Sequence, residues 1–167
     1  MTAAVFKVPE NAPEALPWAS APPVAMQQLW FSLQRQPWAS LVVVPADPET
    51  ATMDFGRPLY EVGRLAMGDR LRLLDARQVK LSDTAPLILD MTGASSAPRP
   101  AGVQWSERVL VLLESVLSHP WGVSIALAAD AAVLCVELGR TRMQAARDTI
   151  SLLGAQRFLG CVTLPPR

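Results

Sequence analysis

Apolar and polar residues follow two different periods along this chain, and each period predicts a different kind of element. Over residues 25–36 apolar side chains recur at i, i+3, i+4 and i+7, which predicts an amphipathic helix. Its predicted buried face consists of Met26, Leu29, Trp30 and Leu33. Pro37 ends this pattern, and the continuous apolar run at 41–44, within the predicted strand 40–44, indicates a strand buried on both faces of a parallel sheet.

The remaining chain repeats this alternation of strands and helices. Further strands are predicted over residues 70–75, 86–90, 131–138 and 158–164. Further helices are predicted over residues 58–65, 106–117, 123–129 and 141–153, the last with Met143, Ala146, Ile150 and Leu153 on its buried face. Strands that alternate with helices favour an α/β fold in which helices flank a mostly parallel sheet.

Length and composition restrict the classes of function. A chain of 167 residues, half of them hydrophobic, suits one domain with a substantial core. Fifteen basic and fifteen acidic residues cancel, which argues against a nucleic-acid partner. The most apolar stretch, residues 122–138, is interrupted by Asp130 and Glu137, so direct membrane insertion is not expected. With no signal peptide and with Cys135 and Cys161 inside apolar runs, we expect a cytoplasmic protein with reduced, buried thiols.

The chain divides into two parts by composition. Residues 1–23 contain five prolines among alanine, serine and glutamate, which predicts a flexible tail. Trp18 lies in this tail and is a candidate contact for the domain or for a partner. Residues 24–167 then form the predicted α/β domain.

The segment that follows the strand at 40–44 has the layout of a phosphate-binding loop. A buried strand enters a short turn and then a helical pattern, and such loops hold nucleotides on backbone N–H groups, a lysine and a Ser/Thr that binds Mg²⁺. Between Pro45 and Asp54 this chain has no glycine and no lysine. Its polar residues there are Asp47, Glu49, Thr50 and Thr52. Two acids within about 4 Å of a phosphate charge would each cost roughly 4 kcal/mol at an effective dielectric constant near 20.

A set of short segments in the C-terminal third carries a resemblance to a known family. They are the run 129–136 with its Ala-Asp start, Gly139 to Arg142 with its Gly-x-Thr, Leu153-Gly154, and 158–162 with its Gly-x-Val. In this order they resemble the cytoplasmic domain of bacterial tyrosine kinases of polysaccharide export, within the MinD/ParA group of P-loop ATPases. The resemblance extends over about residues 24–164 and implies a three-layer, P-loop-NTPase-like fold.

Four departures from that family imply that the chain is not an enzyme and holds no cofactor. Glu49 and Ala51 stand where the loop glycines belong, and Thr52 stands where the lysine belongs. The helix that assembles the kinase ring has an acid and two arginines, replaced here by Val24, Gln27 and Trp30. In the family the last strand usually ends in an asparagine that binds the adenine base, whereas here Leu164 stands near that position. The tyrosine-rich tail is missing, since Tyr60 is the only tyrosine.

Two acids correspond to metal-region residues of the family. Asp90, at the end of the predicted strand 86–90, resembles the acid that organises Mg²⁺, and Asp75 ends another strand. From the residues alone both are better interpreted as strand-end acids bonded to the following turn. The single histidine, His119, cannot build a zinc site without further ligands.

These observations favour a non-catalytic, protein-binding accessory or regulatory module of bacterial surface polysaccharide (exopolysaccharide or cellulose) synthesis or export. The resemblance implies a partner at the inner membrane: a copolymerase, a kinase or an ATPase. The predicted interaction residues are Met26, Gln27, Trp30 and Phe31, with Trp18 in the tail. Self-association stays open. The alternatives are a weakly nucleotide-dependent switch of the ParA/MinD type, with Asp75 and Asp90 around Mg²⁺, and a spatial-positioning protein.

Overall fold

Strands and helices alternate along the residues that the computed structural model describes, which are 4–7, 23–50, 52–93 and 107–165. In chain order the elements are β1 (Ala4–Lys7), α1 (Val24–Leu33), β2 (Ser40–Pro45), α2 (Thr52–Met67), β3 (Leu71–Asp75), α3 (Leu81–Gly93), β4 (Arg108–Leu112), α4 (Trp121–Ala128), β5 (Ala131–Glu137), α5 (Met143–Leu153) and β6 (Phe158–Leu164). Short 3₁₀ turns precede β3 and β6.

One parallel sheet with the strand order β1-β6-β5-β2-β4-β3 forms the middle layer. Helices α1 and α2 pack on one face, where Trp30 and Phe55 join Leu41 and Val43 in one apolar cluster. Helices α3, α4 and α5 cover the other face around Val42 and its neighbours. The predicted three-layer α/β fold with a parallel sheet is therefore confirmed.

Strand β2 lies in the centre of the sheet. It is hydrogen-bonded to a strand on each side and to a side chain at its start. It pairs with β4 on one side and with β5 on the other, and all six of its residues are buried. At its start the Asp130 carboxylate accepts hydrogen bonds from the backbone N–H of Ala39 at 2.8 Å and of Ser40 at 2.9 Å. The Ser40 hydroxyl donates to the same oxygen at 3.0 Å and accepts the Asp130 N–H. This reciprocal cap ties the beginning of β2 to the beginning of β5.

Two tryptophans and an arginine form the core beneath α1. The rings of Trp30 and Trp38 meet edge to face with centroids 6.0 Å apart, and the Trp38 indole N–H donates to the Leu33 carbonyl at 2.9 Å. The Arg108 guanidinium lies 4.4 Å above the Trp38 ring, a cation–π contact. Burial lowers the pKa of Arg108, and within the described part of the chain its Nε and Nη1 have no hydrogen-bond acceptor.

Two predicted elements are of the wrong type. Residues 86–90 belong to α3 rather than to a strand, and residues 108–112 form β4 rather than part of a helix. Both are short apolar runs, for which periodicity does not separate a buried strand from a buried helix. The fully buried pattern of β4 identifies it as an interior strand. Ser106, the predicted cap of the wrong helix, lies outside the described residues.

Two helices differ from their predicted bounds or faces. Helix α2 begins at Thr52, six residues before the predicted start, so that Pro58 lies inside it. A proline there removes one helical hydrogen bond at a cost of about 3 kcal/mol, and the complete burial of Phe55 and Leu59 offsets that cost. On α5, Met143 is exposed, whereas Ala145, Ala146, Thr149 and Leu153 form the buried face.

The N-terminal prediction is wrong for four residues. Residues 4–7, expected in a flexible tail, form β1 and pair in parallel with β6, with Val5 opposite Cys161. Residues 8–22, which include Trp18, lie outside the described part.

Both cysteines are free thiols. Burial raises the pKa of Cys135 well above its ordinary value and also raises that of Cys161. In the ranges that the structure describes, no helix combines the length and the apolarity needed to cross a bilayer.

Gly63 is the point of closest approach between α1 and α2, and we predict that Gly63→Ala destabilises the fold. A methyl group at this position would overlap Leu71 and lie 2.6 Å from the Trp30 ring. Overpacking of this kind costs about 1–3 kcal/mol, more than the roughly 1 kcal/mol gained by replacing glycine in a helix. Urea denaturation monitored by circular dichroism measures the change. Gly93→Ala is the matched control, since none of the described residues lies within 4 Å of its added methyl group, and equal stability of the two variants would contradict the prediction.

Candidate functional site

The loops at the carboxyl ends of the strands form the candidate site. In open parallel sheets ligands bind outside this edge, near the strand where the direction of winding changes. Here β2 is that strand, because the chain leaves it towards β3 on one side and later crosses to β5 on the other. We call the segments that follow β2, β3, β4 and β5 the carboxyl edge.

Three N–H groups of the β2–α2 loop, residues 46–51, are hydrogen-bonded within the protein. The Ala46 N–H donates to the Cys135 carbonyl at 2.8 Å, and the Thr50 N–H donates to the Asp47 carbonyl at 3.1 Å. The Asp47 carboxylate accepts the Glu49 N–H at 3.2 Å. These donors therefore point at protein acceptors rather than at a common point above the loop.

Side chains of the loop after β5 close over the β2–α2 loop. The hydroxyls of Thr50 and Thr141 are 3.3 Å apart, and the Asp47 carboxylate lies 3.5 Å from Nε of Arg142. Asp47 is buried, whereas Arg142 is mostly exposed. On the inner side the Thr149 hydroxyl donates to the Ala46 carbonyl at 3.4 Å. We call the Asp47–Arg142 and Thr50–Thr141 contacts the cross-loop clasp.

The turn after β5 is built around Thr141. Its hydroxyl accepts the Glu137 N–H at 2.9 Å, and its own N–H donates to the Glu137 carbonyl at 2.9 Å. Gly139 adopts φ +77°, a left-handed conformation that favours glycine in this turn. The Glu137 carboxylate is buried and lies 3.2 Å from Nη1 of Arg140. The Gly-x-Thr sequence thus shapes the turn that presents Arg142 to Asp47.

The ends of β3 and β4 each carry an acid that is paired with a nearby base. Asp75 makes a bidentate pair with Arg77, with both nitrogen–oxygen distances 2.8 Å. The hydrogen bond with Arg77 lowers the pKa of Asp75. The bond with Asp75, with Glu114 and Asp54 nearby, raises the pKa of Arg77. After β4, Glu114 lies 2.9 Å from Nδ1 of His119.

The acid predicted from 86–90 is in a different place. Asp90 lies on α3 and pairs with Arg72 at 2.8 Å. The strand between β2 and β3 in the sheet is β4, not residues 86–90, so the acid that follows this strand is Glu114, which sequence reasoning missed. Thr52 is buried at the start of α2, where its hydroxyl donates to the Leu113 carbonyl at 2.8 Å.

Most acids of the carboxyl edge lie beside a basic side chain. Asp47, Asp75 and Glu137 each have an arginine within 3.5 Å, and Glu114 lies 2.9 Å from Nδ1 of His119. Among the described residues, no three acids, histidines or cysteines are grouped as metal ligands. Sequence reasoning also missed the partners Arg77, Arg140, Thr141 and Arg142. The short spacing from each strand-end acid to a base was the available signal for Arg77 and Arg140.

The predicted interaction residues on α1 have different environments. Met26 and Trp30 are buried in the core, so they are wrong as surface contacts. Gln27 is half-buried, and Phe31 is 61% exposed. The physical reason is the helical period, which directs Trp30 inwards and its neighbour Phe31 outwards. Trp18 lies outside the described residues.

A cavity of about 220 Å³ lies away from the carboxyl edge, between α1 and the strands β5 and β6. Leu29, Arg35, Val133 and Cys161 are among its lining residues. Its walls are at least as polar as apolar, with Ser32, Arg35 and Gln36 among the lining residues, whereas small-molecule pockets are mainly apolar and usually have volumes of about 300–1,000 Å³.

Comparison with known proteins finds solved structures that share the fold. No family model and no curated protein sequence matches the chain. A solved structure described as the crystal structure of the chimerical protein CapA2B2 is 11% identical, with 86% of this chain and 85% of that chain covered and a TM-score of 0.62. The structure described as the BceF tyrosine kinase domain is 16% identical, with 86% and 74% covered and a TM-score of 0.50. The chain thus shares its fold with these two structures.

The pairing of Asp75 with Arg77 leads to a prediction about protonation. In an Arg77→Met variant the Asp75 carboxyl loses the bond that lowers its pKa, so it should titrate at higher pH than in the parent protein. The parent gains stability from this pair above the ordinary aspartate pKa and loses it as the pH falls through the lowered value. Because the pair is partly exposed, the effect on unfolding should stay below about 1 kcal/mol.

The measurement is an NMR titration of the side-chain carboxyl carbons. Arg64→Met, which removes the exposed Arg64–Glu61 pair at 3.3 Å, is the matched control. It should leave the Asp75 titration unchanged. An Asp75 midpoint that is the same in the parent and in Arg77→Met would refute the assignment.

Proposed function

We propose that this chain is a non-catalytic, protein-binding accessory or regulatory module, built on a P-loop-ATPase-like domain, of a bacterial surface polysaccharide system. The observation that carries the proposal is the internal occupation of the carboxyl edge. The N–H groups of Ala46, Glu49 and Thr50 are bonded within the protein, and the cross-loop clasp lies over the loop. A nucleotide would have to displace these contacts before it met a binding group.

Free-energy magnitudes indicate which missing interaction weakens nucleotide binding most. Partly exposed ion pairs such as Asp47–Arg142 contribute at most about 1 kcal/mol, so a ligand could break them. The missing lysine matters more, because a hydrogen bond to a charged group contributes about 1.5–3 kcal/mol. Without it, and with Asp47 and Glu49 near the phosphate position, little remains of the roughly 4 kcal/mol that even a millimolar ligand requires. The chemistry of this edge therefore favours a domain that works without nucleotide.

The polysaccharide setting rests on the fold and on the sequence resemblance together. One structural neighbour is described as a tyrosine kinase domain, and the resemblance of the segments around Gly139 and Gly160 is to kinases of polysaccharide export. A partner at the inner membrane, such as a copolymerase, a kinase or an ATPase, would then bind the domain constitutively. Of the predicted interaction residues, Phe31 could make such a contact, because its side chain is exposed on α1.

The first test is a titration with Mg-ATP and Mg-ADP while the melting temperature is followed. We expect no shift up to millimolar nucleotide, since ligand that binds only the folded state raises stability by RT ln(1 + [L]/Kd). A separate titration with Mg²⁺ alone separates metal binding from nucleotide binding. A reproducible nucleotide-dependent rise would overturn the proposal in favour of the ParA/MinD-type switch.

The second test addresses the partner surface. Deletion of α1 would remove Trp30 from the core, so a surface change in the full chain is the sharper experiment. A photo-crosslinking amino acid at Phe31 should capture a component of the polysaccharide system in native cells. The same probe at Leu65, which is 70% exposed on α2, is the control. Equal capture from both positions, or capture only of proteins unrelated to polysaccharide export, would contradict the assignment.

A further inference from the structure

The outer surface of α3 and α4 is unusually apolar for a solvent-facing layer. On α3 the exposed apolar residues Leu81, Ala85 and Leu89 recur at i, i+4 and i+8, beside the exposed polar residues Ser82, Asp83 and Asp90. Helix α4 packs beside α3, contains no charged residue, and exposes Trp121 and Leu127. We call these five apolar side chains the α3–α4 patch.

The other helices also expose apolar side chains, namely Val24 and Phe31 on α1, Leu65 on α2, and Met143 and Leu152 on α5, but the adjacent helices α3 and α4 together expose four. On α5, in the same layer, the outward residues are mainly polar, with Gln144, Arg147 and Asp148 among them. On α2, in the opposite layer, Glu61 and Arg64 form an exposed pair. A helix that is apolar on nearly every side, as α4 is apart from Ser124, normally has every face covered. Helix α4 has its inner face covered by the sheet and its flanks by α3 and α5, and no element among the described residues covers its outer face.

The area of the patch matches the apolar core of a subunit interface. Leu81 is 62% exposed, Leu89 72%, Trp121 44% and Leu127 42%. These fractions amount to on the order of 400 Å² of apolar surface, as large as the main apolar patch of a typical monomer. A stable interface buries about 800 Å² per subunit, of which roughly 65% is apolar in homodimers. The patch can supply most of that apolar share.

Charge on this surface suits a second copy of the same chain. A two-fold axis brings each patch against itself, so any uncompensated charge on it would face its own sign. Helix α4 contributes no charge, and the Asp90 carboxylate at the border of α3 is already paired with Arg72. Asp83 is the remaining acid of α3, and it lies near the beginning of the helix, where its charge is favourable.

We propose that two copies of this chain associate through their α3–α4 patches in a two-fold symmetric dimer. This is independent of the proposed function, because α1 and its Phe31 lie on the opposite face of the sheet and stay free for a partner. The dimer would present two such partner surfaces, one on each outer side.

Sedimentation velocity of the full chain over micromolar to near-millimolar concentrations tests the proposal. The parent should be a dimer, and Leu89→Glu should weaken dimerisation by at least about 30-fold, the effect of losing an interface hot spot. Leu127→Glu is a second variant with the same expected direction. Leu65→Glu is the matched control, since Leu65 is 70% exposed on the opposite layer and should leave the dimer intact.

Circular dichroism spectra and melting curves establish that each variant is folded, as expected for substitutions at exposed positions. A parent that is monomeric throughout the concentration range overturns the proposal. A dimer that survives both Leu89→Glu and Leu127→Glu, or one that Leu65→Glu disrupts instead, also overturns it. The nucleotide titration and the crosslinking at Phe31 do not depend on any of these outcomes.

Discussion

The burial of β2 between two strands and two helical layers is the constraint on which the rest of this structure depends. A strand with no exposed residue has no water available for its backbone, so every N–H and carbonyl must be paired within the protein. Pairing with β4 and β5 meets that demand along its length, and Asp130 meets it at the start. The aliphatic run at 41–44 can therefore exist only in the middle of the sheet.

The same constraint fixes the chemistry of the carboxyl edge. Because β5 is hydrogen-bonded to β2, the turn after β5 must lie beside the loop after β2, and Thr141 and Arg142 are carried to Thr50 and Asp47. Each contact of the clasp is weak by itself. Together they give additional partners to the buried Asp47 carboxylate and Thr50 hydroxyl. A buried polar group without a partner costs about 1–3 kcal/mol, so hydrogen bonding of these two groups contributes to the order of the edge.

The parts of the fold that sequence could predict are those with a strong and unambiguous period. β2, β5, β6 and the buried face of α1 belong to this group, because a continuous aliphatic run or a regular 3.6-residue stripe has one favourable interpretation. Residues 86–90 and 108–112 do not belong to it, since they contain apolar runs of only three or four residues, 87–89 and 109–112, which pack equally well in a buried strand or in one turn of a helix. Because residues 86–90 were predicted as a strand and 108–112 as a helix, the acid at the carboxyl edge was predicted to be Asp90, and Glu114 was overlooked.

The candidate site was harder to predict for a different reason. The acids Asp47 and Asp75 were recognisable, because a residue that ends a strand can be placed at the edge from sequence alone. Their partners differ in this respect. Arg77 is two residues from Asp75 and could have been inferred from local spacing, but Arg142 is 95 residues from Asp47. Its place in the site depends on the strand order, which no local pattern encodes.

The loop after β2 also indicates how a nucleotide-type scaffold can fold without a nucleotide. A glycine-rich phosphate loop has several N–H groups that only a bound anion satisfies, so its order and its ligand are coupled. In this chain Pro45 and Pro48 reduce the freedom of the unfolded loop, and Asp47 accepts the Glu49 N–H that a phosphate would otherwise meet. The N–H groups of Ala46, Glu49 and Thr50 thus have acceptors within the protein. Under the proposed function, folding of the domain would not depend on nucleotide concentration, as a constitutive binding scaffold requires.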